Sequence, residues 1–226
     1  MKKIIVSIAL LAISLGLFAQ NITTASAYFK TVSDQYATFK DYEADFEFSV
    51  DGTEMAGHFS YKTPNLIRLD FTNPEQQVIV FNGDLLTIYL PGSDAVLLQN
   101  LDESTTDDDE NLTTLGSPKG LSLLSRYYTV AYETGQDAEL LEEGSDEMVV
   151  KLILTKKSAA EAFRYIKLCI SEKTKLLRRM EAVTPKGQTY IFNYYDYKIN
   201  QDISDQRFIY ESPSSANNFN NFLFTD

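Results

Sequence analysis

Tyr42-Glu43-Ala44-Asp45-Phe46-Glu47-Phe48-Ser49-Val50 alternates apolar and polar side chains, and Asp51-Gly52 then leads into Met55, Gly57, Phe59 and Tyr61 at the same spacing. A period of two places Tyr42, Ala44, Phe46, Phe48 and Val50 on one face of a half-buried strand. Asp-Gly is a favoured dipeptide for a two-residue hairpin, so the chain returns as an antiparallel neighbour. This hairpin decides the fold class, because the same rhythm continues on both sides of it.

Downstream, Pro64-Asn65 turns the chain into a strand over 66–71, and Asn73-Pro74 makes the next turn. Strands follow over 78–81, 85–90 and 95–99, separated by Asn82-Gly83 and Pro91-Gly92. Short strands at intervals near ten residues describe an antiparallel meander, not a βαβ array. Upstream, Ile22, Ala25, Phe29, Val32, Tyr36 and Phe39 recur every three or four residues, predicting a helix over 22–39 capped by Thr23 or Thr24.

The second half resumes the pattern. Strands are expected over 128–132, 138–142, 148–154, 165–170, 175–183 and 189–197, with a helical turn over 158–163 and a turn at Pro185-Lys186-Gly187. Between the halves, residues 101–111 hold Asp107-Asp108-Asp109-Glu110 and read as a solvated loop, lacking the Gly and distal Glu of an EF-hand. Residues 116–126 form a short amphipathic helix bounded by Gly and Pro. The tail over 212–226 carries Phe219, Phe222, Leu223 and Phe224, and is expected to pack.

Composition narrows the chemistry. The 226 residues are 44% hydrophobic and 23% charged, which excludes a disordered chain. A net charge of −12 offers no footprint for nucleic acid. Single Cys and His residues, Cys169 and His58, rule out an internal disulfide and a Cys/His zinc site. Phosphate-binding and dinucleotide-binding glycine motifs are absent, and no Gly-x-Ser-x-Gly accompanies His58. No catalytic residue, metal or cofactor is expected. Cys169 is best accommodated in a buried strand.

Lys2 and Lys3 precede an apolar run over 4–18 that ends in Ala19. This describes a secretory signal peptide over 1–19, too short to span a bilayer. Its removal, taking both lysines, leaves 207 residues (20–226) in one domain and a net charge of −14. The exported chain is then soluble.

The aromatic content of the long strands has two readings. Phe46, Phe48, Phe59, Tyr61, Phe71, Tyr190, Phe192, Tyr194, Tyr195 and Tyr197 build either an ordinary sheet core or a curved face that takes an apolar ligand. Alternation alone does not separate a filled core from a fillable cavity.

Gly57-His58-Phe59-Ser60-Tyr61-Lys62-Thr63-Pro64-Asn65-Leu66-Ile67-Arg68-Leu69-Asp70-Phe71 resembles the periplasmic outer-membrane lipoprotein carrier family. The likeness continues through Pro74, Val78-Ile79-Val80-Phe81-Asn82-Gly83, Leu86-Thr87-Ile88-Tyr89 and Pro91. It extends to Leu176-Leu177-Arg178-Arg179-Met180-Glu181, Gly187-Gln188-Thr189, Asn200 and Phe208-x-Tyr210-x-x-Pro213. The resemblance implies a mainly β, α+β fold: a half-open, curved antiparallel sheet or incomplete barrel, with an N-terminal helix and a short helical lid. It implies a periplasmic monomer that binds lipoprotein acyl chains. The cargo comes from an inner-membrane ABC-type complex and passes to an outer-membrane acceptor. Phe46, Phe48, Phe59, Leu69, Phe71, Ile79, Phe192 and Tyr194 are the expected cavity residues, and Leu121, Leu123 and Leu124 the expected lid.

The chain departs from this pattern in places. Thr63 stands where the family usually has a lid-latching Arg, and it lacks a guanidinium's hydrogen-bonding capacity. Lys62 and Arg68 lie nearby but read more simply as solvated strand residues. Leu69 and Thr87 stand at positions where Trp is common in the family. The membrane-anchored acceptor of similar fold begins at a lipidated Cys, which this chain lacks, favouring the soluble carrier. An envelope sensor or regulatory module that binds a lipid or protein on the same sheet is the alternative.

Overall fold

The computed structural model describes residues 22–100 and 118–222. The expected signal peptide, the acidic stretch over 101–111, the first residues of the expected lid segment and the last four tail residues lie outside them. Thr24 caps helix α1 (Ala25–Ala37), its hydroxyl accepting from the Ala27 N–H at 3.2 Å. The first meander follows: β1 (Asp41–Val50), β2 (Thr53–Lys62), β3 (Leu66–Asn73), β4 (Glu75–Phe81), β5 (Leu85–Leu90) and β6 (Ala95–Asn100). Asp51 and Gly52 both have positive φ, 50° and 81°, as a two-residue I′ hairpin requires. Helix α2 (Pro118–Tyr127) then leads into β7 (Tyr128–Tyr132), β8 (Glu139–Leu140), β9 (Met148–Lys156), β10 (Tyr165–Ser171), β11 (Leu177–Val183) and β12 (Thr189–Ile199).

With β13 (Asn217–Asn220) from the tail, the described strands form one curved open sheet in the order β13-β6-β5-β4-β3-β2-β1-β12-β11-β10-β9-β7, with β8 also on β9. Pairing of β1 with β12 joins the two meanders. Every pairing is antiparallel except that of β13 (Asn217–Asn220), which adds to the edge of β6 in parallel. Part of the tail therefore pairs as an edge strand with all four of its residues exposed, while Leu223 and Phe224 lie outside the described residues.

Two expectations need correction. Residues 158–163 form turns and bends without a helical turn, because β9 and β10 pair out to Thr155 and Tyr165 and the connection simply reverses direction. The strand expected over 138–142 shrinks to Glu139–Leu140, since β7 occupies the same edge of β9 from Leu152 onward.

Alternation along the strands divides the sheet into two faces. The main core lies on the helix-bearing, concave face, where Phe29, Val32 and Tyr36 of α1 and Leu121 and Leu124 of α2 meet strand residues. Both helices pack against each other and against β7, near one end of the sheet. A smaller cluster of Val78, Val80, Tyr89 and Val96 lies on the convex face beneath Tyr210 and Ala216. Polar contacts fasten that C-terminal segment. Lys62 Nζ donates to the Ile203 carbonyl at 2.6 Å and pairs with Asp205. Arg68 binds Asp70 through two nitrogens and donates to the Arg207 carbonyl at 3.0 Å, while Arg207 also reaches Asp70 at 2.6 Å. Lys62 and Arg68 are thus bonded anchors, not solvated strand residues. The sequence concealed this because, apart from Asp70 beside Arg68, their partners lie about 140 residues away.

Candidate functional site: the concave apolar face

The eight expected cavity residues share the concave face and belong to one apolar cluster. Cross-strand register brings them together: Phe46 opposes Tyr194, Phe48 opposes Phe192, Phe59 opposes Leu69, and Leu69 opposes Ile79. Their burial differs. Phe46, Phe59, Leu69, Phe71 and Tyr194 are packed into the core, whereas Phe48, Ile79 and Phe192 are only half-buried. Along β1, burial falls from Tyr42, Ala44 and Phe46 to Phe48 and Val50. One end of the face is therefore filled, and the hairpin end is partly open.

Aromatic rings dominate that end. The Phe48 and Phe192 rings stack with centroids 4.3 Å apart, and Tyr190 extends the stack at 6.2 Å from Phe48. Phe192 and Tyr194 are nearly parallel at 6.2 Å, and Phe163 meets Tyr190 edge-on at the same distance. Offset aromatic pairs of this kind add ~0.5–1.5 kcal/mol each beyond the area they bury. Met55, opposite Phe48, adds a flexible thioether. Tyr190 and Met55 were legible as apolar-face residues, but their place at the open end was not.

A bulge reorders β12. Lys198 opposes Glu43 while Tyr195 opposes Asp45, so β12 holds one extra residue, and Asp196 takes φ 47°. Tyr194 and Tyr197 consequently both face the core, where simple alternation would have separated them. Tyr195 points to the convex side and its hydroxyl bonds the Glu47 carboxylate.

Burial raises the hydroxyl pKa values of the inward tyrosines. Tyr36 is pushed up to about 12, and Tyr42, Tyr194 and Tyr197 are also raised. These groups stay neutral and keep the face free of charge.

Within α2, where the lid residues were expected, Leu121 and Leu124 are buried one turn apart and Leu123 is half-buried. Lys157 Nζ caps the helix C-terminus through the Ser125 and Arg126 carbonyls, at 2.9 and 3.0 Å. Thr63 is exposed at the β2–β3 turn, where its N–H donates to the Lys40 carbonyl at 2.8 Å. No side-chain bond from Thr63 to α2 is found among the described residues.

The remaining reactive side chains lie apart from this face. His58 pairs with Asp45 on the exposed convex side. Cys169 is half-buried in β10, and burial pushes its thiol pKa up. Among the described residues, no cluster of three or more His, Cys, Asp or Glu side chains could hold a metal ion.

The profile of the outer membrane lipoprotein carrier protein LolA matches residues 37–211. The chain belongs to this family. It is 24% identical over 160 residues to the outer-membrane lipoprotein carrier protein of Pseudomonas aeruginosa, covering 71% of this chain and 69% of that one. The protein of the same name from Chromohalobacter salexigens is 28% identical, with 77% and 78% covered. Among solved structures, an uncharacterized conserved protein from Thermus thermophilus superposes with TM-score 0.55 at 13% identity, covering 86% of this chain and 98% of that one. A chain of the Pseudomonas aeruginosa MucA/MucB complex superposes with TM-score 0.51 at 13% identity, covering 85% and 62%. These structural likenesses establish the fold. The LolA family is one of carriers and not of enzymes, so a lipoprotein-binding role follows from membership.

Proposed function

We propose that this protein is a periplasmic chaperone that holds the acyl chains of lipoproteins at the half-buried end of the concave face and carries them from the inner to the outer membrane. The supporting observation is the fall in burial along β1 and β12, which leaves Phe48, Tyr190 and Phe192 stacked but incompletely covered. Each ligand methylene removed from water there contributes ~0.8 kcal/mol, so acyl chains bind strongly without specific polar contacts. In this reading residues 1–19 direct export, and α2 acts as the lid through Leu121, Leu123 and Leu124. The donor is an inner-membrane ABC-type complex, and an outer-membrane acceptor takes the cargo. With Thr63 at the family latch position, lid closure depends on the apolar contacts of α2 and not on a guanidinium latch.

Purification of the mature protein after co-expression with a lipoprotein tests the proposal. Co-purifying lipoprotein and saturable uptake of a fluorescent fatty acid are expected. Recovery without cargo, together with no fatty-acid uptake, would overturn it.

A further inference from the structure

One cross-strand row on the concave face runs out to the sheet edge and contains apolar side chains alone. Phe59 opposes Leu69, Leu69 opposes Ile79, Ile79 opposes Ile88, and Ile88 opposes Leu97. The parallel strand β13 then sets Phe219 beside Leu97. Opposed residues share a face, so all six project from the same side of the sheet. Burial falls from one end of the row to the other: Phe59 is 4% exposed and Leu69 6%, Ile79, Ile88 and Leu97 are half-buried, and Phe219 is 52% exposed. Phe81 and Leu86, opposed in the adjacent row, are also half-buried and apolar.

Sheet edges ordinarily carry charge or proline, which discourages association. This edge instead carries an exposed phenylalanine, continuous with the proposed ligand face. Helices α1 and α2 pack with β7, and Tyr36 of α1 also reaches β1, β11 and β12, all of them strands far from this edge in the sheet order. Three interstrand steps separate Ile79 from Phe219, a span of ~14 Å at the usual strand spacing.

Resting on the carrier reading above, we propose that Ile79, Ile88, Leu97 and Phe219 form a track for the distal part of a single long acyl chain, and that Phe219 sets the chain-length preference. A short chain is satisfied at the aromatic end, around Phe48 and Phe192. A long chain crosses β4, β5 and β6 and ends against Phe219. Each methylene laid on the track improves affinity by roughly fourfold, up to the length at which the row ends.

The chain contains no Trp, so one introduced Trp, excited beyond the tyrosine absorption band, is a single-site reporter. Phe219→Trp reports on the far end of the track and Met55→Trp on the aromatic end. Palmitate brominated near its methyl terminus is expected to quench F219W. Palmitate brominated near its carboxyl end is expected to quench M55W. Phe219→Ser, read through M55W, is expected to weaken palmitate binding roughly tenfold and leave octanoate binding unchanged, with Phe219→Leu restoring most of the loss. Quenching of M55W with F219W silent, or unaltered palmitate affinity in the Phe219→Ser variant, would overturn the track and leave the carrier reading intact. Silence of both reporters would overturn the carrier reading together with the track.

Discussion

The hydroxyls of Tyr36 and Tyr197 lie 3.3 Å apart and close a hydrogen-bonded circuit on one residue, Leu177. The Leu177 N–H donates to Tyr36 Oη at 2.9 Å, Tyr36 donates to Tyr197, and Tyr197 donates to the Leu177 carbonyl at 2.9 Å. The register between β11 and β12 begins at Arg179, so Leu177 lacks a partner in β12 and the two phenols serve both of its backbone groups. Helix α1 is thereby tied to the sheet by polar bonds inside an apolar core.

Tyr36→Phe leaves the Leu177 N–H without a partner in a buried site. A loss of ~1–3 kcal/mol is expected in denaturant unfolding. Tyr197→Phe should cost a similar amount, and the double variant less than the sum, because both belong to one circuit.

Alkaline pH should destabilise the fold. Tyr36, Tyr42, Tyr194 and Tyr197 have folded pKa values raised above that of an unfolded tyrosine, ~10. Their contribution is complete below that pH and is lost progressively as pH rises towards the folded values, about 12 for Tyr36. Tyrosinate absorbance and loss of near-ultraviolet circular dichroism should therefore rise together above pH ~10. Ionisation of these residues without unfolding would contradict the assignment.

Acid should loosen the convex strap. Burial disfavours the Asp70 carboxylate, but hydrogen bonds and charge from Arg68 and Arg207 outweigh it and hold its pKa below the ordinary value. This stabilisation is present above the unfolded pKa, ~3.9, and is lost as pH falls through the lower folded value. Hydrogen exchange in residues 203–210 should rise over that range in the wild type. In Asp70→Asn it should already be elevated at neutral pH.

Gly57 allows β2 and β3 to approach closely. A Cβ at this position would lie 2.2 Å from the Asp70 carbonyl oxygen and 2.9 Å from the Phe71 Cα, both backbone atoms. Gly57→Ala should therefore cost ~2–3 kcal/mol or prevent folding, as thermal unfolding would show.

Phe192→Ala removes the central ring of the open stack. Fatty-acid uptake should weaken by roughly tenfold, the equivalent of ~1.4 kcal/mol, with a smaller change in melting temperature than Phe46→Ala produces. Phe46 is buried against Phe71 at 5.3 Å, so its loss leaves a cavity.

Much of this protein was legible locally. Alternation over Tyr42–Val50 and turn residues such as Asp51-Gly52 specify strands and hairpins, because both act within a few residues of chain. The apolar face followed from the same alternation, and the ordered residues from Gly57 to Pro213 carried the family resemblance. The tertiary structure decided which part of that face is filled and which is partly open. Burial of Phe46 and half-burial of Phe48 depend on helices and strands remote in sequence, although the two residues have the same character and sit two positions apart. The bulge at Asp196 decided that Tyr194 and Tyr197 face the core together, since one extra residue in a ladder reverses the alternation beyond it. Pairing of β13 with β6 likewise joins segments more than a hundred residues apart. That contact places Phe219 at the end of an apolar row that no local pattern could reveal.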